Sequence, residues 1–159
     1  KLIGLLGPSG SGKTTILRDI IRQISNQGIN ISVVDERCEI SGIYLGNIQF
    51  DLGICTDVLC CYSKSIGMNM MLRSMAPKII AVDEIGSNDD ILAIHNLLNS
   101  GVKIIATIHC NTIENILQKP FIENIVKEKI FDSYIILNNN KKTGELYKIY
   151  DKELNIVWQ

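Results

Sequence analysis

The chain has 159 residues, 46% hydrophobic and 21% charged, and its 16 Lys and Arg against 17 Asp and Glu leave a net charge of −1. That balance belongs to a globular protein and excludes a general electrostatic grip on nucleic acid or on an anionic membrane, either of which would need a basic excess. No apolar run approaches the ~20 residues that cross a bilayer and no signal-peptide pattern opens the chain, so one cytoplasmic domain over residues 1–159 without direct membrane insertion is expected.

Apolar runs of strand length alternate with segments of helical period, which predicts an α/β fold: a mostly parallel sheet flanked by helices. Leu2 to Leu6 is the first strand. A core strand with almost no lead-in is an unusual start, so a natural N-terminal portion preceding Lys1 is expected. Gly7-Pro8-Ser9-Gly10-Ser11-Gly12-Lys13-Thr14 follows at once and matches GxxxxGK[ST], the phosphate-binding loop, in its required place between strand and helix. The glycines let backbone N–H groups converge on phosphate oxygens, Lys13 adds a full charge and Thr14 is a Mg²⁺ ligand. In the helix that follows, Ile16, Leu17, Ile20, Ile21 and Ile24 share one face, and Gly28 stops it.

Ile31 to Asp35 is the second strand, ending in Asp35-Glu36-Arg37 with Glu39 beyond, a set that could bring carboxylates near a metal and an arginine near phosphate. From Glu39 to Ser65 glycines punctuate a stretch without sustained period, read as loop with a short hairpin. Ile66 to Met75 is a helix whose Met68, Met71, Leu72 and Met75 read as core packing, with Arg73 near its end. Ile79 to Asp83 is a buried strand closing on Asp83-Glu84, the Walker B pattern: Asp83 supports Mg²⁺ and Glu84 orients or deprotonates the attacking water. Asp89 to Leu98 is a third helix, and Lys103 to Thr107 a strand that could deliver Thr107 and His109 to the same sheet edge to sense the outermost phosphate. Tyr134 to Leu137 and Leu146 to Tyr150 flank a polar turn and predict a hairpin at the C-terminal sheet edge.

Five cysteines, Cys38, Cys55, Cys60, Cys61 and Cys110, form no CxxC pair and are expected as reduced thiols. A zinc site from Cys60, Cys61, Cys110, His95 and His109 would depend on the fold bringing them together, because no local ligand spacing is present.

Gly7 to Thr15, Val33 to Arg37, Thr56 to Leu59, Leu72 to Pro77 and Ala81 to Gly86 together resemble the ATPase domain of the stage III sporulation protein AA family, relatives of the type II and type IV secretion ATPases. The resemblance runs from Ile3 to about Tyr150. It implies a RecA-like P-loop core that binds ATP and Mg²⁺ and works as a homo-oligomeric ring, usually a hexamer. The ring would energise a sporulation channel complex of membrane proteins from the mother-cell side, with an N-terminal domain closing over the nucleotide. It further implies that Gly7 to Thr15 hold nucleotide, that Asp35, Glu36, Arg37 and Glu39 form an Asp box, that Thr107 and His109 form a His box, and that Arg73 is the arginine preceding Walker B. Glu84, Lys13, Arg73 and His109 are then the catalytic set, with Thr14 and Asp83 on the metal. Cys55 and Ser87 stand where the family pattern commonly has arginine, a departure that predicts slow turnover because an arginine in phosphoryl transfer is worth ~10³ to 10⁵ in rate.

Three other readings compete. Asp83 to Gly86 also fits the DxxG of GTPases, but the guanine-reading NKxD is absent, Asn140-Lys141-Lys142-Thr143 coming nearest. A small-molecule kinase lacks its arginine-rich lid. A nucleotide-binding scaffold that hardly hydrolyses ATP is opposed by Glu84 and favoured by Cys55 and Ser87.

Overall fold

The computed structural model describes residues 2–110, 120–138 and 143–159, with no side-chain detail for 120–122. Eight strands form one sheet: β1 (Ile3–Gly7), β2 (Ile31–Asp35), β3 (Thr56–Cys60), β4 (Ile79–Val82), β5 (Lys103–His109), β6 (Ser133–Asn138), β7 (Glu145–Asp151) and β8 (Ile156–Trp158). Their order across the sheet is β3-β2-β4-β5-β1-β6-β7-β8. Strands β1 to β6 pair in parallel, and β7 and β8 add antiparallel. The helices are α1 (Lys13–Ser25), α2 (Lys64–Met75), α3 (Asn88–Asn99) and α4 (Pro120–Lys127).

The central strands are mostly apolar because both faces of the sheet are covered. Alternate residues sort to opposite sides: Leu6, Val34, Ile80, Val82, Ile104 and Ala106 pack with α2, α3 and α4 through Met68, Met71, Ile94, Leu97 and Ile125. Leu5, Val33, Ala81 and Ile105 pack on the other side against Leu17 and Ile21 of α1 and against Ile40 and Leu52. The stripe on α2 is core only in part, since Met75 is 45% exposed.

Four elements depart from the sequence expectation. β3 lies inside the stretch read as loop. It is an edge strand, half-buried with Asp57 outward, so it carries no continuous apolar run to betray it. The expected short hairpin in that stretch is a single antiparallel bridge between Tyr44 and Asn47. The C-terminal hairpin is not the sheet edge, because the three-residue, exposed β8 adds outside it; its turn residues 139–142, including Asn140, Lys141 and Lys142, lie outside the described residues. α4 had no predicted counterpart. Among the described residues no helix is long and apolar enough to cross a membrane.

Candidate nucleotide site

Ligands of parallel sheets gather at the C-terminal ends of the strands, and here β1, β2, β4 and β5 all end at one edge. β1 runs into the Gly7–Gly12 loop. Gly10 and Gly12 hold φ of 76° and 91°, left-handed values that favour glycine, and the second starts α1 at Lys13. Gly7 is required for space: a Cβ there would collide with the Ser11 hydroxyl and stand 3.2 Å from the Leu137 carbonyl. The loop thereby delivers the chain straight into the N-terminus of α1, the kind of helix end that binds phosphate oxygens.

Lys13 Nζ donates to the carbonyls of Gly7 and Pro8 at 2.9 and 2.8 Å, lying across the loop. Burial pushes its pKa down, opposed by the negative charge of Asp83 and Glu84. Thr14 Oγ1 donates to Asp83 Oδ2 at 2.9 Å. The other Asp83 oxygen accepts from Thr107 Oγ1, and that same hydroxyl accepts the Glu84 N–H at 2.7 Å. Thr107 is fully buried, and its hydroxyl joins the two carboxylate residues. Glu84 itself has φ of 49°, a left-handed backbone that a non-glycine residue adopts at a cost of about 1–3 kcal/mol.

Strand β5 sits between β1 and β4, in register that sets Leu5 beside Thr107 and Gly7 beside His109. His109 is thus next to the phosphate loop. The Cys110 N–H donates to the Gly7 carbonyl, fastening β5 to the loop.

The Asp35 to Glu39 segment divides in two. Asp35 is 1% exposed and its carboxylate is spent on the chain, accepting from Ile40 N, Ser41 N and Ser41 Oγ at 3.1, 2.8 and 2.5 Å. Those donors make it the organiser of the loop that follows β2. Arg37 Nη1 instead reaches Glu84 Oε2 at 3.1 Å, and Glu36 pairs with Lys64 at 2.6 Å. Asp35, Glu36, Arg37 and Glu39 all line one cavity with Lys64, Asp83 and Glu84.

Lys64, in the first turn of α2, is the functional candidate the sequence reading passed over. Its side chain is 15% exposed, and its signal lay in its position directly after β3, the strand that was not recognised.

Arg73 does not join the cluster of its own chain. It lies exposed in the last turn of α2, nine residues and so about 13 Å of helix beyond Lys64, on the way back to the N-terminal edge of the sheet. Cys55 is at that same far edge, its N–H bound to Ser25 Oγ at 2.7 Å, so its departure from arginine does not touch this pocket. Ser87 does border the groove beyond Glu84, where it caps α3 in a capping box with Asp90. The zinc grouping is not assembled: His95 on α3 pairs with Glu128 at 2.8 Å, and among the described residues no three His, Cys, Asp or Glu side chains could hold a metal.

Thr14 and Asp83 present only oxygen, the donor type Mg²⁺ prefers when one or two protein ligands are completed by phosphate and water. The residues present fit that ion.

The family described as sporulation stage III, protein AA matches residues 2–157. Stage III sporulation protein AA of Bacillus subtilis is 37% identical over 96% of this chain, which spans 52% of that relative's length. Among solved structures, the VirB11 ATPase of the Brucella suis type IV secretion system superposes with a TM-score of 0.68 at 15% identity, covering 95% of this chain and 48% of that one. The pilus retraction motor PilT with bound ADP gives 0.63 at 19% identity, covering 94% and 45%. These neighbours establish a RecA-like P-loop fold, and with that architecture and a matched length of nearly the whole chain, the protein belongs to the sporulation stage III protein AA family.

Proposed function

We propose that this chain is the Mg²⁺-dependent ATP-hydrolysing unit of a ring, a hexamer on the secretion-ATPase pattern, that energises a membrane-protein channel complex of sporulation from the mother-cell side. The observation that carries the reading is the chain of hydrogen bonds from Thr14 through Asp83 and Thr107 to the Glu84 backbone, beside the phosphate loop. A glycine-rich turn alone would need none of these groups in register.

Each residue has a task in that chemistry. Lys13 and the loop N–H groups hold the phosphates, and Thr14 and Asp83 would hold Mg²⁺, which supplies neutralising charge to the phosphate oxygens. Glu84, outward at the end of β4, accepts the proton of the attacking water or orients it. Arg37 gives the site a cation that, in the arrangement described, is bound to Glu84. Exchange of that partner for a phosphate oxygen would free Glu84 for water and place positive charge where negative charge develops.

The scaffold reading has one observation in its favour: the general base is tied up by Arg37 while Arg73 lies outside the pocket. Phosphate release from Mg²⁺-ATP by the full-length protein, over a range of protein concentrations with Glu84→Gln as the blank, separates the two. A rate per chain that rises with concentration and disappears in Glu84→Gln, with ATP still bound, is the expected result. Equal release by both proteins would remove Glu84 from catalysis, and no release by either would leave the scaffold.

A further inference from the structure

The phosphate loop is contacted from the side opposite Glu84 by the end of the β6–β7 connection. The Gly144 N–H donates to the Ser11 carbonyl at 2.8 Å. A Cβ on Gly12 would stand 2.9 Å from Gly144 N and 3.3 Å from Thr143 Cγ2, so the two segments touch at van der Waals distance. Thr143 lines a cleft with Gly10, Gly12, Lys13, Thr14 and Thr15. Gly144 has φ of 81°, the left-handed turn that brings the chain into β7 at this point.

The order of the sheet gives that contact a direction. β4, with Asp83 and Glu84, lies two strands from β1 on one side; β6 and β7 lie on the other. A nucleoside triphosphate whose outermost phosphate faces Glu84, with its inner phosphates at the start of α1, must extend its nucleoside toward Thr143. We propose that Thr143 is a nucleoside-contacting residue, its hydroxyl and methyl bordering the ribose or base, and that Gly144 fixes it there through Ser11. This rests on the phosphate-loop reading above and adds the end of the molecule that the loop motif leaves unspecified. A threonine offers one hydroxyl that can donate or accept, suited to a ribose hydroxyl or a ring nitrogen, and no charge for phosphate.

The test compares ATP with inorganic tripolyphosphate, which has the phosphates and no nucleoside, by calorimetric titration of the full-length protein in Mg²⁺. Thr143→Ala is expected to weaken ATP about threefold to tenfold, the worth of one ordinary hydrogen bond, and Thr143→Ser to restore it. Thr143→Trp, which fills the cleft that Lys13 and Thr14 also line, is expected to cost ATP more than Thr143→Ala does; tripolyphosphate affinity stays unchanged in Thr143→Ala and Thr143→Ser. Thermal melts identify any variant that fails to fold, and Thr143→Ser remains as the mild replacement. Equal losses for both ligands in Thr143→Ala, or unchanged ATP binding in Thr143→Trp, overturn the assignment while leaving the phosphate loop in place. A wild-type protein that binds neither ligand overturns the loop reading and this one with it.

Discussion

Lys13 is held in place against its own solvation. Burial lowers its pKa in the folded chain, so folding disfavours the charged form; the penalty is present at every pH below that depressed value and vanishes above the ordinary lysine range. The two carbonyls it binds keep other donors, Cys110 N for Gly7 and Ser11 N for Pro8. Lys13→Met is therefore expected to lose nucleotide binding while melting no lower than wild type at pH 7, as calorimetry and thermal unfolding would show. A sharp fall in Tm would mean that the ammonium is a structural strut. Asp35 is the opposite case. Its removal leaves the Ile40 and Ser41 N–H groups buried without acceptors, so Asp35→Ala is expected to cost about 3 kcal/mol, roughly 10 °C in Tm for a chain of this size. An unchanged Tm with weakened Mg²⁺-nucleotide binding would return Asp35 to the metal site.

At the scale of elements, the turn after β2 is clamped to the segment that leads from β3 into α2. Glu36 pairs with Lys64, and Cys38 Sγ stands 3.6 Å from Cys61 Sγ. Both cysteine N–H groups donate to the Asp35 carbonyl, and both residues are left-handed, with φ of 57° and 64°. That arrangement predicts that diamide, which takes two electrons from the thiol pair and is itself reduced, joins Cys38 to Cys61 within one chain. Burial raises the Cys38 thiol pKa and the contact with Cys38 raises that of Cys61, so the reaction is expected to speed up as pH rises above neutrality. Peptide mapping checks it: a joined Cys38–Cys61 peptide that disappears on reduction and in Cys61→Ser is the expected pattern, and cross-links chiefly to Cys55 or Cys110 would contradict the geometry. Because Arg37 adjoins Cys38, the same bond would restrain the arginine that holds Glu84.

For the whole molecule, what the sequence determined by itself are the features fixed within a few residues. The strand, the glycine loop and the helix start at residues 3–13 follow from local sterics and from one motif. The Asp83-Glu84 strand end follows from an apolar run meeting two carboxylates. Alternation of strand and helix periods was enough for a parallel sheet, because burial on both faces demands continuous apolar strands. Tertiary structure alone decided matters set by which distant segments meet. β3 exists as a strand because β2 offers it an edge, and without β3 the place of Lys64 could not be read. Asp35 is engaged by three donors of a loop that closes over it, and Thr107 is brought to Asp83 and Glu84 by the pairing of β5 between β1 and β4. Arg73 lies outside its chain's own pocket because α2 runs away from that edge. Thr143, more than a hundred residues from Gly12, reaches the phosphate loop through the order β1-β6-β7. Such contacts depend on strand order, which no periodicity encodes, whereas the loop and the strand ends are written in the covalent neighbourhood of the residues themselves.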